Sequence, residues 1–238
     1  MKRFALLLMI LASPAMAAEV NHWPLSDKAE STDVDDPVGG DDGTLLGGDN
    51  TIDKTTTGPG GLFTAAFDLN GTDDAVDISA ASLSFTDGTA FSVSFWWRPD
   101  STTFEVLGRA GTNDANIRQG SATVVNVATN LSSTAFTVPS ITAEWHHGLV
   151  TRTTGNSVRF FLDGTESSSG AQTLTGTFNP NRIGVRNVGF ADGKIAGVRV
   201  YNTDESANVA TLYAEGFDAP APQPNLSGNF ELLNGNMQ

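Results

Sequence analysis

The chain has no cysteine among its 238 residues. No disulfide can therefore staple it, and thiolate catalysis and cysteine-based zinc sites are excluded. Histidine is scarce too: His22, His146 and His147 are the only ones, which leaves few soft metal ligands and few general bases. Basic side chains number 13 against 27 acidic ones, giving a formal net charge of −14 at pH 7. That balance argues against nucleic acid and anionic membrane surfaces, both of which attract Lys and Arg. It suits divalent cations, neutral glycans or simple solubility in salt. No apolar run is long enough to span a bilayer, and apolar residues almost never recur at the helical period.

What is present begins with MKRFALLLMILASPAMAAEV. Lys2 and Arg3, an apolar run from Phe4 to Ala12 and the small-x-small triplet Ala15-Met16-Ala17 predict a secretory signal over residues 1–17. The protein is then expected outside the inner membrane: periplasmic, at the cell surface or secreted. Gly, Thr, Ser, Asn and Asp dominate the rest, and apolar alternation recurs in short bursts between turn residues. This is the pattern of an all-β protein. Strands are expected at Asn21–Leu25, Ala65–Leu69, Ala75–Ile78, Phe91–Arg98, Phe104–Arg109, Asn116–Gln119, Ala122–Ala128, Glu144–Thr151, Ser157–Leu162, Arg182–Val185 and Gly193–Tyr201. Their even spacing predicts one domain over 18–217. Asn70-Gly71 and Asp163-Gly164 supply hairpin turns that accept φ > 0. In DESANVATLYAEG, Asp204 can cap a short helix that Gly216 ends. The prolines after it prevent further helix or central strand, so 218–238 reads as a Pro-rich linker and tail.

The stretch FSVSFWWRP, residues 91–99, puts Phe91, Val93, Phe95 and Trp97 on one strand face and Ser92, Ser94, Trp96 and Arg98 on the other. One tryptophan can therefore join a core.

HWPL, GLFTAAFDLNGTDDAVDI, FSVSFWWRP, EWHHGLVTR, VRFFLDG, NRIGV, GFADGKIAGVRVYN and NVATLYAEG occur in this order. Together they resemble the concanavalin A-like lectin/glucanase superfamily, specifically its laminin G-like, pentraxin-related jelly-roll domains, over about residues 20–216. The resemblance implies an antiparallel two-sheet jelly-roll β-sandwich with one short C-terminal helix, adjacent first and last strands, one concave surface and ligand loops at its rim. Related domains often hold calcium through Asp, Asn and loop carbonyls. The matching stretch here is LNGTDDAVDI, which makes Asn70, Asp73 and Asp74 candidate ligand-binding residues beside Trp96, and Asp73, Asp74 and Asp77 candidate calcium ligands. A second acidic stretch, DVDDPVGGDDG, offers Asp33, Asp35, Asp36, Asp41 and Asp42, but Pro37 and Val38 break the EF-hand register. On the last strand, Ala196 and Gly197 stand where the family pattern has two acidic residues. The resemblance also matches Trp96 to the family's strand tryptophan and Trp97 to a normally aliphatic position, which implies that Trp97 lies in the core and that Trp96 faces outward, either beneath a covering loop or as a platform on which a sugar ring could stack.

Retaining glycoside hydrolysis needs two carboxylates about 5–5.5 Å apart. Glucanases of this fold carry a Glu-x-Asp-x-Glu strand for it, and this chain has none, so no catalytic residue is expected. His146 and His147 are adjacent on a strand, point to opposite faces and cannot chelate one ion. His147 is expected to be buried and hydrogen-bonded. Arg98, Arg159, Arg186 and Arg199 read as isolated surface or bridging charges. The leading expectation is an exported non-catalytic domain that binds a glycan or an extracellular surface polymer. The alternatives are a structural or adhesion subunit contacting envelope or matrix proteins, and a divergent polysaccharide-cleaving enzyme.

Overall fold

The computed structural model describes residues 19–26, 32–47, 53–55, 57–112 and 114–216. The expected signal segment 1–17 and the Pro-rich tail 218–238 lie outside them. One sheet holds β1 (Glu19–Trp23), β4 (Asp53–Thr55), β5 (Ala66–Asn70), β7 (Phe91–Pro99), β12 (His146–Arg152), β13 (Ser157–Leu162), β14 (Thr165–Glu166), β15 (Gln172–Thr173) and β19 (Asp192–Tyr201). The other holds β2 (Asp33–Val34), β3 (Gly43–Leu46), β6 (Ala75–Asp77), β8 (Phe104–Gly108), β9 (Asn116–Ser121), β10 (Val124–Ala128), β11 (Ser133–Thr137) and β16 (Arg182–Ile183). A small hairpin, β17 (Val185–Arg186) and β18 (Gly189–Phe190), completes the strands.

The first sheet runs β14-β13-β12-β7-β19-β5-β4, with β1 also on β19, and the second runs β11-β10-β9-β8-β16-β6-β3-β2. All these strand pairs are antiparallel, and the first strand lies against the last, as a jelly-roll sandwich requires.

The alternation of the sequence decides what lies between the sheets. Phe91, Val93, Phe95 and Trp97 meet Leu45, Val76, Leu107, Ile117, Val125, Val127, Phe136 and Ile183 in one core cluster. Each fully buried aliphatic or aromatic side chain contributes about 1.5–3 kcal/mol. Trp97 brings one polar atom into this core, and Gln119 on β9 meets it: Nε1 donates to Gln119 Oε1 at 3.0 Å, while Gln119 Nε2 donates to Thr102 O.

Local signals act where expected. Asp163 and Gly164 both take positive φ, closing the β13–β14 hairpin. The helix is short: a 3-10 turn at Ser206–Asn208 leads into α1 (Val209–Ala214). Asp204 does not cap α1. Its Oδ1 instead accepts from Ser206 N–H, two residues on. The expected strand Arg182–Val185 is broken, because Gly184 sits at φ +82°, which turns the chain out of β16 and into the separate hairpin.

The two sheets treat their outer faces differently. The first sheet's outer face is roofed by residues 60–63 and α1, which produce two apolar clusters of their own. The second sheet carries no such roof among the described residues.

Candidate functional site

Trp96 lies under that roof. It is only 2% exposed, stacked against Tyr213 at 5.9 Å between ring centroids and tilted against Phe63 at 6.5 Å. Gly216 passes so close that a Cβ there would come within 2.0 Å of the indole. Of the two roles open to Trp96, the structure takes the covered one, and the indole presents no exposed face to a sugar.

The roof also explains the departure on β19. Ala196 pairs with Trp96 across the strands, and a Cβ on Gly197 would meet the Phe63 ring at 2.3 Å. Carboxylates at these positions would collide with the aromatic cover.

Arg199 ties this layer together. Of the two roles the sequence allows it, surface or bridging charge, it takes the second: it is 7% exposed and bridges Glu19 at 3.3 Å, the Glu215 carboxylate and the face of Phe63. Strand β1, β19 and the end of α1 thus share one cation.

His147 sits beneath the same roof, with Nε2 at 2.9 Å from Ser94 Oγ and its ring 5.0 Å from Trp96. Burial pushes its pKa down to about 3. His22 is held at about 4, first by burial and then by Arg199. Both rings are neutral when folded and take up protons on unfolding, near the ordinary histidine value of about 6.5. The unfolded state therefore binds more protons between about pH 3 and 6.5, so stability is fully present above that window and falls as pH drops through it. Each histidine contributes a slope of at most about 1.4 kcal/mol per pH unit. Glu105 and Glu215, raised by burial, work in the opposite sense at the acid end. We expect urea midpoints to fall from pH 7 to pH 5, and His147→Asn to flatten that dependence.

His146 points the other way, onto Trp97. Its Nε2 accepts from Thr142 N–H and its Nδ1 lies 2.8 Å from Asp163 Oδ2, which places the ring proton on Nδ1. Neither histidine faces an open surface able to bind a metal.

The predicted calcium ligands do not converge. Asn70 Oδ1 accepts from the N–H groups of Thr72, Asp73 and Asp74, while its Nδ2 donates to Asp73 Oδ1 and its own N–H to Asp74 Oδ2. These bonds fold the loop back on itself. Asp77 stands at the far end of β6 and spends Oδ1 on Arg182 at 2.5 Å and on Ser79 N–H. Among the described residues no three His, Asp or Glu side chains group as a metal centre needs, so Asp73, Asp74 and Asp77 do not fit a shared cation.

The second acidic stretch also folds on itself. Asp36 is buried and accepts from Asn21 Nδ2 and from the N–H groups of His22, Val38 and Gly39. Burial pushes its carboxyl up, but those hydrogen bonds outweigh it and hold the pKa below the ordinary value.

A polar surface appears instead on the second sheet and its rim. Half-buried Arg118 and Asn126 lie beside buried Glu105 across β8, β9 and β10. Arg186, on the β17–β18 hairpin, reaches Glu105 Oε2 at 3.1 Å, and Gly108 has no Cβ to obstruct it. At the ends of β6, β8 and β16, opposite the Asn70 loop, lies a groove of about 280 Å³ lined by Ser79, Ser82, Leu83, Ser84, Arg109, Asn179, Pro180 and Asn181. It offers hydroxyls, amides, two apolar walls and one guanidinium, and no carboxylate.

Within the groove, Asn181 Oδ1 accepts from Ala110 N–H. Asn179 Oδ1 is buried with no hydrogen-bond partner among the described residues, a state that costs about 1–3 kcal/mol. The sequence analysis missed all of these residues. Ser, Asn and Pro between strands are ordinary turn composition, and only the β6–β16–β8 pairing brings the three segments together.

A family model described as the concanavalin A-like lectin/glucanases superfamily matches residues 70–208. No curated protein matches the chain. Among solved structures, domain 4 of AbnA, an extracellular arabinanase of Geobacillus stearothermophilus solved with arabinotriose, aligns at TM-score 0.58 and 20% identity over 83% of this chain and 98% of that one. Botulinum neurotoxin type C, whose cell entry depends on interaction with two ganglioside molecules, aligns at 0.55 and 14% over 83% of this chain and 51% of the toxin chain. Trypanosoma rangeli sialidase aligns at 0.56 and 12% over 84% and 33%.

Proposed function

The chain belongs to the concanavalin A-like lectin/glucanase superfamily, and from that premise we propose that it is an exported, non-catalytic domain that binds a glycan in the rim groove beside Arg109. The observation that carries this reading is the composition of the groove. Serine hydroxyls and asparagine amides can exchange hydrogen bonds with sugar hydroxyls. Its volume lies at the lower end of ligand pockets, which start near 300 Å³, and suits a short segment of a glycan.

The lining contains no acid to protonate a leaving group. On the neighbouring sheet, the carboxylates of Asp77 and Glu105 are engaged by Arg182 and Arg186. Hydrolysis needs a pair of positioned carboxyl groups, so this lining favours binding without cleavage. The arabinotriose complex of the arabinanase domain and the gangliosides named for the toxin support a carbohydrate ligand, as properties of those proteins.

The test is isothermal titration of the protein against a panel of neutral and acidic oligosaccharides, with reducing-sugar release followed in parallel. We expect binding without cleavage. Ser84→Trp, at an exposed position on the groove wall, should abolish binding at an unchanged melting temperature. Binding that survives Ser84→Trp, or no binding across the panel, would sink the assignment.

A further inference from the structure

Resting on that reading, we infer that the sugar taken by the groove carries a carboxylate and that Arg109 receives it. The argument starts from how this chain uses its arginines. Arg159, Arg182, Arg186 and Arg199 form ion pairs with Glu166, Asp77, Glu105 and the Glu19–Glu215 pair. Arg98 lies 4.0 Å from Asp100, Arg118 stands opposite Glu105, and Arg152 is surrounded by backbone carbonyls. Arg109 differs in lining the groove. Among the described residues its guanidinium has neither a hydrogen bond nor an ion pair, although the chain carries 27 acidic side chains; Arg118 shares that lack but faces Glu105 across the strands.

A guanidinium presents a rigid planar fork of donors that matches a carboxylate two bonds at a time. Here the fork stands in a groove that already offers neutral groups for hydroxyls, and no acid within the lining competes for it. The net charge narrows the ligand further. A chain at −14 repels a dense polyanion over its whole surface, whereas a single carboxylate beside Arg109 acts inside the screening length of about 8 Å. The expected ligand is thus a sugar ring bearing one carboxylate within a short segment, in preference to a heavily sulfated chain.

The experiment titrates matched pairs: short oligomers of galacturonate, glucuronate and mannuronate, and sialyllactose, each against its methyl ester, plus a sulfated oligosaccharide of equal length. We expect at least one acid to bind tenfold or more tighter than its ester and tighter than the sulfated chain. Arg109→Gln should bring that acid and its ester within about twofold, Arg109→Lys should retain part of the preference, and both should melt like the parent protein. Equal binding of acid and ester, a preference that survives Arg109→Gln, or tightest binding of the sulfated chain would overturn the inference. In those cases sensitivity to Ser84→Trp would leave the glycan reading standing. No binding by any sugar, acidic or neutral, would overturn both.

Discussion

Replacing Arg152 by methionine is expected to lower the free energy of unfolding by about 2–6 kcal/mol, the cost of leaving two buried carbonyls without donors at about 1–3 kcal/mol each. Arg152 is fully buried at the end of β12. Its Nε donates to Thr89 O, Nη1 to Gly176 O, and Nη2 to both Phe85 O and Thr86 O, while the guanidinium lies 4.7 Å from the centre of the Phe91 ring. One side chain thus satisfies four carbonyls from two loops. Methionine fills similar volume but takes away the donors of Thr89 O and Gly176 O, while Phe85 O and Thr86 O keep the backbone N–H groups of Phe178 and Thr89, and an unmet buried polar group costs its full desolvation.

The consequence reaches the groove. Phe85 and Phe178 exchange backbone hydrogen bonds, and Phe178 precedes the Asn179–Asn181 wall. Urea denaturation should show a lower midpoint with an unchanged slope, and sugar binding should weaken as the wall loosens. Arg152→Lys, which keeps the charge but has three donors on a single nitrogen where the fork spreads its own over three, should fall between the two. A Met variant as stable as the parent would show that the loops are held by other contacts.

The sheet framework was legible because its signals are local. Alternation in FSVSFWWRP assigned the core face of β7 residue by residue, and Asp163-Gly164 marked a turn that needs positive φ at both positions. Strand Ser157–Leu162 has the boundaries expected of it. Strands β3 and β11 were not legible. GTLL follows a run of Gly and Asp, and STAFT buries only Phe136, so tertiary pairing alone makes them strands.

The same limit applied to function. Asn70, Asp73, Asp74 and Asp77 are near in sequence and invite one site, yet Asp77 stands at the far end of β6 from the Asn70 loop, where Arg182 holds it. The groove residues lie about 100 positions apart and acquire meaning only when the second sheet assembles. Even then the informative fact is a missing contact: among the described residues no carboxylate pairs with the guanidinium of Arg109, and no sequence pattern records that.

Replacing Trp96 by alanine should cost about 3–5 kcal/mol, as large-to-small changes at packed aromatic sites do, and leave sugar binding by the folded protein within about twofold. The indole fills the space between β7, β19 and the roof, touching Ala196 and Tyr213 with Gly216 pressed against its edge. Its removal opens a cavity that the roof can fill only by sinking, and the Arg199 bridges to Glu19 and Glu215 oppose that movement. The groove lies on the rim of the other sheet, across a core about 10 Å thick, and shares no residue with this cluster. Denaturation and titration on one preparation therefore separate two roles. Lost stability with retained binding identifies Trp96 as a structural support, whereas lost binding at unchanged stability would mean that the roof opens in solution and that the indole itself meets the glycan.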